Sequence, residues 1–314
     1  MTHTIPDISV VIPCRNEEAN ARPIAQAVIA QLAPLGLTFD ILFIDNESSD
    51  NTVAIIKGMC AEDPRIKLIV NTRNFGQMRS PTHAIFAARG RAVIGMCADF
   101  QDSPELLPRF IERWQAGVDI VLGVRETEDN GLILRAIRAV SYWLAKTLGD
   151  FQIIPNATGF GLYSRRVVDA IKAMNEPEPF YRGMLVETGY PLETIPYARP
   201  PRAAGKSKNN FLTLLDFAVA GLTASSKRLL RLPLYLGVIG AVVALLMLIG
   251  GAIAFFTGRP IAGWLIGAVL QAQFALIFGF LGLIGDHIRL ISERTRKTPL
   301  VHERERINFD GPHP

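Results

Sequence analysis

The sequence predicts an α/β protein, a mostly parallel sheet with helices on both faces, followed by a C-terminal transmembrane α-helical hairpin. Three observations predict it. Short runs rich in Val, Ile, Leu and Phe alternate with helix-length segments through residues 8–125, as expected of strands buried on both faces and joined by crossover helices. Polar clusters at 14–17, 45–50, 71–76 and 99–102 each follow such a run, placing them at strand carboxyl ends, where open α/β sheets bind ligands. Two adjacent uncharged apolar stretches within 232–285 are each long enough to cross a bilayer.

Taken in order, Ile8–Pro13 reads as a short buried strand, and a helical pattern runs from the Cys14–Glu18 cluster to about Leu35. Phe39–Ile44 is a second strand ending at Asp45, and Ser49 or Asp50 is suited to cap the helix that follows. Ile66–Val70 is a third strand, left through Asn71–Gly76, with a helix over about Met78–Ala88. The fourth strand starts at Ala92 and is expected to run into the carboxylate of Asp99, ahead of a Pro-containing helix start at Ser103–Pro104. Ile120–Val124 is a fifth, ending at Arg125. Asp99 at a strand end, with the carbonyl-bearing Gln101 two residues on, suits a hard divalent cation, Mg²⁺ or Mn²⁺, of the kind that travels with substrate phosphates.

Composition narrows the functional classes. The 314 residues are 49% hydrophobic with a net charge of +4, and the mean hydropathy is +0.24. The apolar excess lies mostly in 232–285 rather than in 1–208. No basic stripe with interleaved aromatics is present, so nucleic acid is not an expected partner. Cys14, Cys60 and Cys97 have no metal-site or disulfide spacing, which fits a reducing cytoplasm. The first residues lack the charged and apolar regions of a signal peptide.

The domain plan that follows is a catalytic domain over 1–208, a juxtamembrane amphipathic helix over 209–231, two membrane helices over 232–285 and a tail over 286–314. Lys227, Arg228 and Arg231 precede the first span and Arg289, Arg294, Arg296 and Lys297 follow the second, while the turn between carries only Arg259. The positive-inside rule puts both termini in the cytoplasm and the chain in the inner (cytoplasmic) membrane as a multi-pass protein. Phe211, Leu214, Leu215 and Phe217 suit contact with the lipid bilayer or with the globular domain. Gly237, Gly240, Gly250 and Gly251 suit close helix packing, including packing between copies in a homo-oligomer.

The segments Val11–Glu17, Ile44–Thr52, Asn74-Phe75-Gly76 and Ala98–Glu105 resemble the family 2 glycosyltransferases of GT-A fold, a Rossmann-like architecture. With the hairpin, and with Thr158–Arg165, Arg182-Gly183 and Arg202–Lys208, the chain is similar over nearly its whole length to the polyprenyl-phosphate glycosyltransferases, the dolichol-phosphate-mannose-synthase-like group. The resemblance implies inverting transfer of a sugar from a nucleotide-diphosphate sugar to a polyprenyl phosphate such as undecaprenyl phosphate. A UDP-sugar is the favoured donor, with GDP-mannose also compatible. It implies that Pro13, Asn16, Glu17 and Asp45, with Asn74 and Gly76, bind the donor nucleotide, and that Asp99 and Gln101 hold the metal. Asp99, Asp102, Arg125 and Arg202 are the implied catalytic residues, and Arg135, Arg138, Lys206, Ser207 and Lys208 the further phosphate-binding ones, since guanidinium forks match phosphate geometry.

A phosphate monoester is already largely ionised near neutral pH, its second pKa being about 6, so this acceptor requires no general base. The chain departs from the usual family pattern at Cys97, Asn46-Glu47, Gln77 and Gly159, where Asp, Asp-Gly, Lys and Asp are commoner. Two other readings are a processive polysaccharide synthase and a degenerate, non-catalytic membrane scaffold. The first usually shows a Gln-x-x-Arg-Trp motif; here Arg113-Trp114 follows Phe110 at the critical position.

Overall fold

The computed structural model describes residues 5–126, 154, 156–177, 179–198 and 299–309, with scattered positions between 269 and 295. The chain divides into two compact units, one of 1–142, 151–211 and 297–314, the other of 143–150 and 212–296. The hairpin over 232–285 and the segment 209–231 fall almost wholly outside the described residues, and among the described residues no helix is long and apolar enough to cross a membrane.

The first unit is built on a mixed sheet. Its strands are β1 Ile8–Cys14, β2 Phe39–Asp45, β3 Ile66–Asn71, β4 Ala92–Gly95, β5 Ile120–Arg125, β6 Ala157–Ser164, β7 Leu192–Tyr197 and β8 Glu303–Ile307. They lie in the order β7-β5-β6-β4-β1-β2-β3-β8. β1 pairs in parallel with both β2 and β4, β2 with β3, and β5 with β7; β4–β6, β5–β6 and β3–β8 are antiparallel. The helices are α1 Ala21–Leu32, α2 Thr52–Glu62, α3 Gly76–Ala87, α4 Leu107–Gln115, α5 Arg165–Ala173 and α6 Tyr181–Glu187.

The alternation of side chains along the strands makes two cores. Val10 and Ile12 of β1 and Ile41 and Phe43 of β2 face α1, α2 and α4 through Ile24, Val28, Ile56, Phe110 and Ile111. Val11, Leu42 and Ile44 face the other way, with Ala84 and Ile85 of α3, Val167 and Ile171 of α5 and Leu185 of α6. Each large apolar side chain so buried stabilises the fold by about 1.5–3 kcal/mol. That double burial is why β1 and β2 are uninterrupted apolar runs.

Pro13 sits in a central strand, where a missing amide proton normally breaks a ladder. The Val11 carbonyl accepts from the Met96 amide on the β4 side, and the Cys14 carbonyl accepts from the Asn46 amide on the β2 side. Pro13 shares the side of Val11, and β4 pairs with β1 only as far as Val11–Gly95. The proline therefore faces a stretch that β4 has already left.

Several elements differ from the sequence expectation. The fourth strand stops at Gly95, not at Asp99, because the Cys97 amide donates to the Asp102 carboxylate at 2.8 Å rather than to a neighbouring strand. The helix after β2 begins at Thr52 rather than Ser49 or Asp50; Asp50 Oδ1 accepts from the Thr52 amide at 3.0 Å and so still serves the helix start. The largest difference is β8, which comes from within the expected tail and covers the outer edge of β3.

β8 is held by more than its ladder. Glu303 Oε1 lies 2.6 Å from His83 Nε2 of α3, and Arg306 donates to the same carboxylate at 2.8 and 2.6 Å. Asn308 Nδ2 donates to the carbonyls of Cys60 and Ile66, both at 2.8 Å. Burial opposes ionisation of Glu303, but the hydrogen bonds from His83 and Arg306 and their charges outweigh it and hold the carboxyl at about 2. A depressed carboxyl contributes stability that is complete above its unfolded value of 4.5 and is lost as the pH falls toward about 2. The Glu303→Gln variant should therefore have a lower Tm at neutral pH and a shallower fall in Tm through that acid window than the parent; parallel curves in thermal melts would contradict the assignment.

Candidate active site at the strand carboxyl ends

Because β1, β2, β3 and β4 run parallel, their carboxyl ends and the loops that leave them lie along one rim. The loops after β1 and β2 are bonded to each other. Asn16, at φ 58°, takes the left-handed conformation that Asn tolerates best among side-chain-bearing residues. Its amide donates to Ser48 Oγ at 2.8 Å and its side-chain oxygen accepts from the Ser49 amide at 2.8 Å. The Glu17 amide donates to Thr52 Oγ1 at 2.8 Å, and the Glu17 carboxylate accepts from Asn20 Nδ2 at 2.7 Å. Asp45 is fully buried; it accepts from the Ser48 amide at 3.0 Å and from the Ser48 hydroxyl. Asn16, Glu17 and Asp45, expected to serve one nucleotide, are thus parts of one rigid pair of loops.

Asn46 ties that pair to the next loop. Its Nδ2 donates to Asn74 Oδ1 at 2.7 Å and to the Gly76 carbonyl at 3.2 Å. Its Oδ1 accepts from the Phe75 amide at 2.9 Å and from Asn71 Nδ2 at 3.2 Å. Asn74 Oδ1 also accepts from the Gly76 amide at 2.9 Å, and the Asn74 amide donates to Glu47 at 3.0 Å. Gly76 has φ 85°, open only to glycine at low cost. The departure at Asn46 thereby has a structural reason: this position must donate as well as accept, and a carboxylate cannot donate. The departure at Glu47 is equally used, since its side chain is the acceptor for the Asn74 amide.

The loop after β4 carries the carboxylates. Asp99 and Asp102 are 5% and 2% exposed. Asp99 Oδ1 accepts from the Gln101 amide at 3.2 Å, which draws the two expected metal ligands into one turn. Phe100 between them has φ 59°, a left-handed conformation costing a residue of this kind about 1–2 kcal/mol. Asp102 Oδ2 accepts from the Cys97 amide at 2.8 Å and Oδ1 from the Tyr197 hydroxyl at 3.0 Å. Both oxygens are thus engaged in bracing the loop. Burial, the largest influence, pushes the Asp102 carboxyl up, against the hydrogen bonds from Cys97 and Tyr197. Cys97, in place of a further carboxylate, is exposed and forms no disulfide.

On the other flank, Arg125 ends β5 and pairs in register with Tyr197 of β7. Its Nε is buried and, among the described residues, has no hydrogen-bond partner, so a polar group is needed there. Burial first, then the Asp102 charge, pushes the Tyr197 hydroxyl up to about 12, while Arg125 opposes this. Gly159 has φ 93° with open space where a side chain would start, and its carbonyl accepts from the Tyr163 hydroxyl at 2.6 Å. The Asp expected there in relatives would be conformationally strained on this backbone. Arg113 is not a site residue in this structure: it forks onto Glu193 at 2.7 Å through two nitrogens. Arg135, Arg138, Arg202, Lys206, Ser207 and Lys208 lie outside the described residues.

The bracing by Asp102 and Tyr197 and the hub at Asn46 were not legible as such in the sequence. The nearest signal was the Asp102 carboxylate two residues before Pro104-Glu105. Replacing Asn46 by Asp should destabilise the protein by about 1–3 kcal/mol, because it sets an acceptor against Asn74 Oδ1 and the Gly76 carbonyl. A urea unfolding curve with an unchanged midpoint would show the hub to be dispensable.

The model of a family described as glycosyl transferase family 2 matches residues 9–171. The bactoprenol glucosyl transferase of Shigella phage SfX is 33% identical over 93% of this chain and 97% of its own length. A prophage bactoprenol glucosyl transferase homolog of Escherichia coli is 33% identical over 93% and 96%, and an uncharacterized glycosyltransferase of Bacillus subtilis 30% identical over 93% and 91%. A glucosyl-3-phosphoglycerate synthase structure from Mycobacterium tuberculosis superposes with a TM-score of 0.47 at 19% identity, covering 70% of this chain and 78% of that one.

Proposed function

As the chain belongs to glycosyl transferase family 2, we propose that it moves a glucosyl or related sugar from a nucleotide-diphosphate sugar, UDP-glucose first, to a polyprenyl phosphate at the cytoplasmic face of the membrane. The observation that carries the reading is the whole-length likeness to bactoprenol glucosyl transferases, whose acceptor class needs what the rim offers: carboxylates for a cation and guanidinium for phosphate. The hairpin expected over 232–285 keeps the site beside its lipid substrate.

The loops carrying Asn16, Glu17 and Asp45 hold base and ribose, and Asn74 and Gly76 line the next stretch of the donor. Among the described residues no three His, Cys, Asp or Glu side chains gather as a metal cage. A partial protein shell fits Mg²⁺ or Mn²⁺, which bind through one or two carboxylates and complete their shell with substrate phosphates and water. Asp99 and Gln101 would hold such an ion, which supplies Lewis-acid neutralisation of the charge growing on the departing diphosphate. Asp102, with both oxygens engaged, is a positioning residue for this turn rather than a ligand or base. Arg125, with Arg202, Arg135 or Arg138, Lys206 and Lys208, pairs with the phosphates. The acceptor oxygen attacks the anomeric carbon in line as the bond to the nucleoside diphosphate breaks, and inversion follows. The intact hydrogen-bond networks around Asp99 and Asn46 favour this reading over a non-catalytic scaffold.

Membranes containing the protein, given labelled UDP-glucose and undecaprenyl phosphate, should yield a labelled, solvent-extractable lipid that EDTA suppresses. No labelled lipid from UDP-glucose, UDP-N-acetylglucosamine or GDP-mannose at saturating Mg²⁺ or Mn²⁺ would sink the proposal. Asp99→Ala should reduce transfer at least a thousandfold while leaving the membrane content of protein unchanged; a fully active variant would remove Asp99 from the metal. Cys97→Asp, which adds a hard oxygen ligand beside that turn, should lower the metal concentration for half-maximal rate, read from a Mg²⁺ titration.

A further inference from the structure

The segment 299–309 reaches past the edge it covers. The ladder with β3 accounts for Glu303–Ile307, with a bulge between Val70 and Asn71 where the polar rim begins. Beyond it, the His302 carbonyl accepts from both the amide and the hydroxyl of Thr72, at 2.9 and 3.2 Å. The Pro299 carbonyl accepts from Arg79 Nη2 at 2.9 Å. Between these two attachments lies the Asn74-Phe75-Gly76 loop. Phe75 is only 7% exposed. Its ring has the Arg73 guanidinium at 4.1 Å, that of Arg79 at 5.7 Å and the His302 ring at 6.2 Å. The 2.6 Å contact of Glu303 with His83 ties the strand to a later turn of α3.

A strand that merely masks an edge needs none of the contacts made by Pro299 and His302. We propose that residues 299–309 are a positioning element of the donor site: they clamp the 72–75 loop and the first turn of α3 from outside while Asn46 holds that loop from inside, and so set the affinity for the nucleotide-diphosphate sugar. The inference rests on the proposed donor role of Asn74 and Gly76. It makes the donor site depend on residues that lie more than two hundred positions away in the chain.

The test uses the membrane-embedded full chain, a version ending at residue 298, and two full-length variants, Val301→Asp, which loads a charge on a side chain 4% exposed, and Arg79→Met, which removes the reach to Pro299 together with the guanidinium facing the Phe75 ring. Initial rates are measured with UDP-glucose and undecaprenyl phosphate varied separately. The truncation and Val301→Asp should raise the donor KM tenfold or more, and Arg79→Met about threefold, with the acceptor KM within twofold of the parent. A peptide spanning 299–309, added in trans, should recover most of the loss in the truncated protein, as strand addition to an open edge allows. Donor KM within twofold of the parent in Arg79→Met and in whichever of the other two variants reaches the membrane overturns the inference, as does an equal rise in both KM values. A parent chain that transfers from no donor overturns the proposed function and the inference together, whereas an active parent with unaffected variants overturns the inference alone.

Discussion

The structure depends on the parallel pairing of β1 with two neighbours at once. Ile8–Cys14 lies between β2 and β4, and its two faces feed two separate cores. Once its direction is set, the loops after Cys14, Asp45 and Gly95 must emerge on the same side. A ligand rim follows from the topology before any catalytic residue is chosen. The same pairing explains how Pro13 is tolerated, since β4 departs before the proline would need a partner.

What distinguishes the rim is how little of it is left to side-chain freedom. Ser48, Thr52 and Asn16 join two loops, Asn46 joins the third, and Asp102 with Tyr197 joins the carboxylate loop to β7. The cost is visible at Asn16, Glu47 and Phe100, all at positive φ. Backbone of this kind persists only where surrounding contacts over-determine it. Preorganised polar groups act on a developing charge without reorganising at the moment of reaction, and the polar groups of this rim are held in place in that way.

The strand positions of the first half, the polar strand ends and most helix spans could be read from the sequence because they rest on local periodicity and on the two-sided burial of β1 and β2. Three things could not. The end of β4 at Gly95 is decided by a hydrogen bond from Cys97 to Asp102, and nothing in Val93-Ile94-Gly95-Met96 marks it. The double role of Asn46 depends on groups brought in from β3 and α3. β8, Glu303-Arg304-Glu305-Arg306-Ile307, has the charge of a solvated tail and little β-propensity; its place is set by Glu303 and Asn308 finding partners far off in the chain, with Arg306 backing Glu303 from within the strand. As candidates for the site, Asp99 and Gln101 came from residue type and position and Asp45 from the family resemblance, whereas the bracing role of Asp102 required its two partners to be known.

The late strand also bears on how the molecule is made. Asn308 meets Cys60 across 248 residues, so β3 leaves the ribosome long before its outer partner exists. Until then the sheet has an unpaired edge, a surface prone to pairing with other chains, and closing so long a loop is intrinsically slow. The half of the domain that holds the Asn74 loop therefore passes through synthesis unfinished. A sheet completed last, after all intervening sequence has been translated, gives the nascent protein a built-in delay between having the Asn74 loop and having the strand that covers its edge.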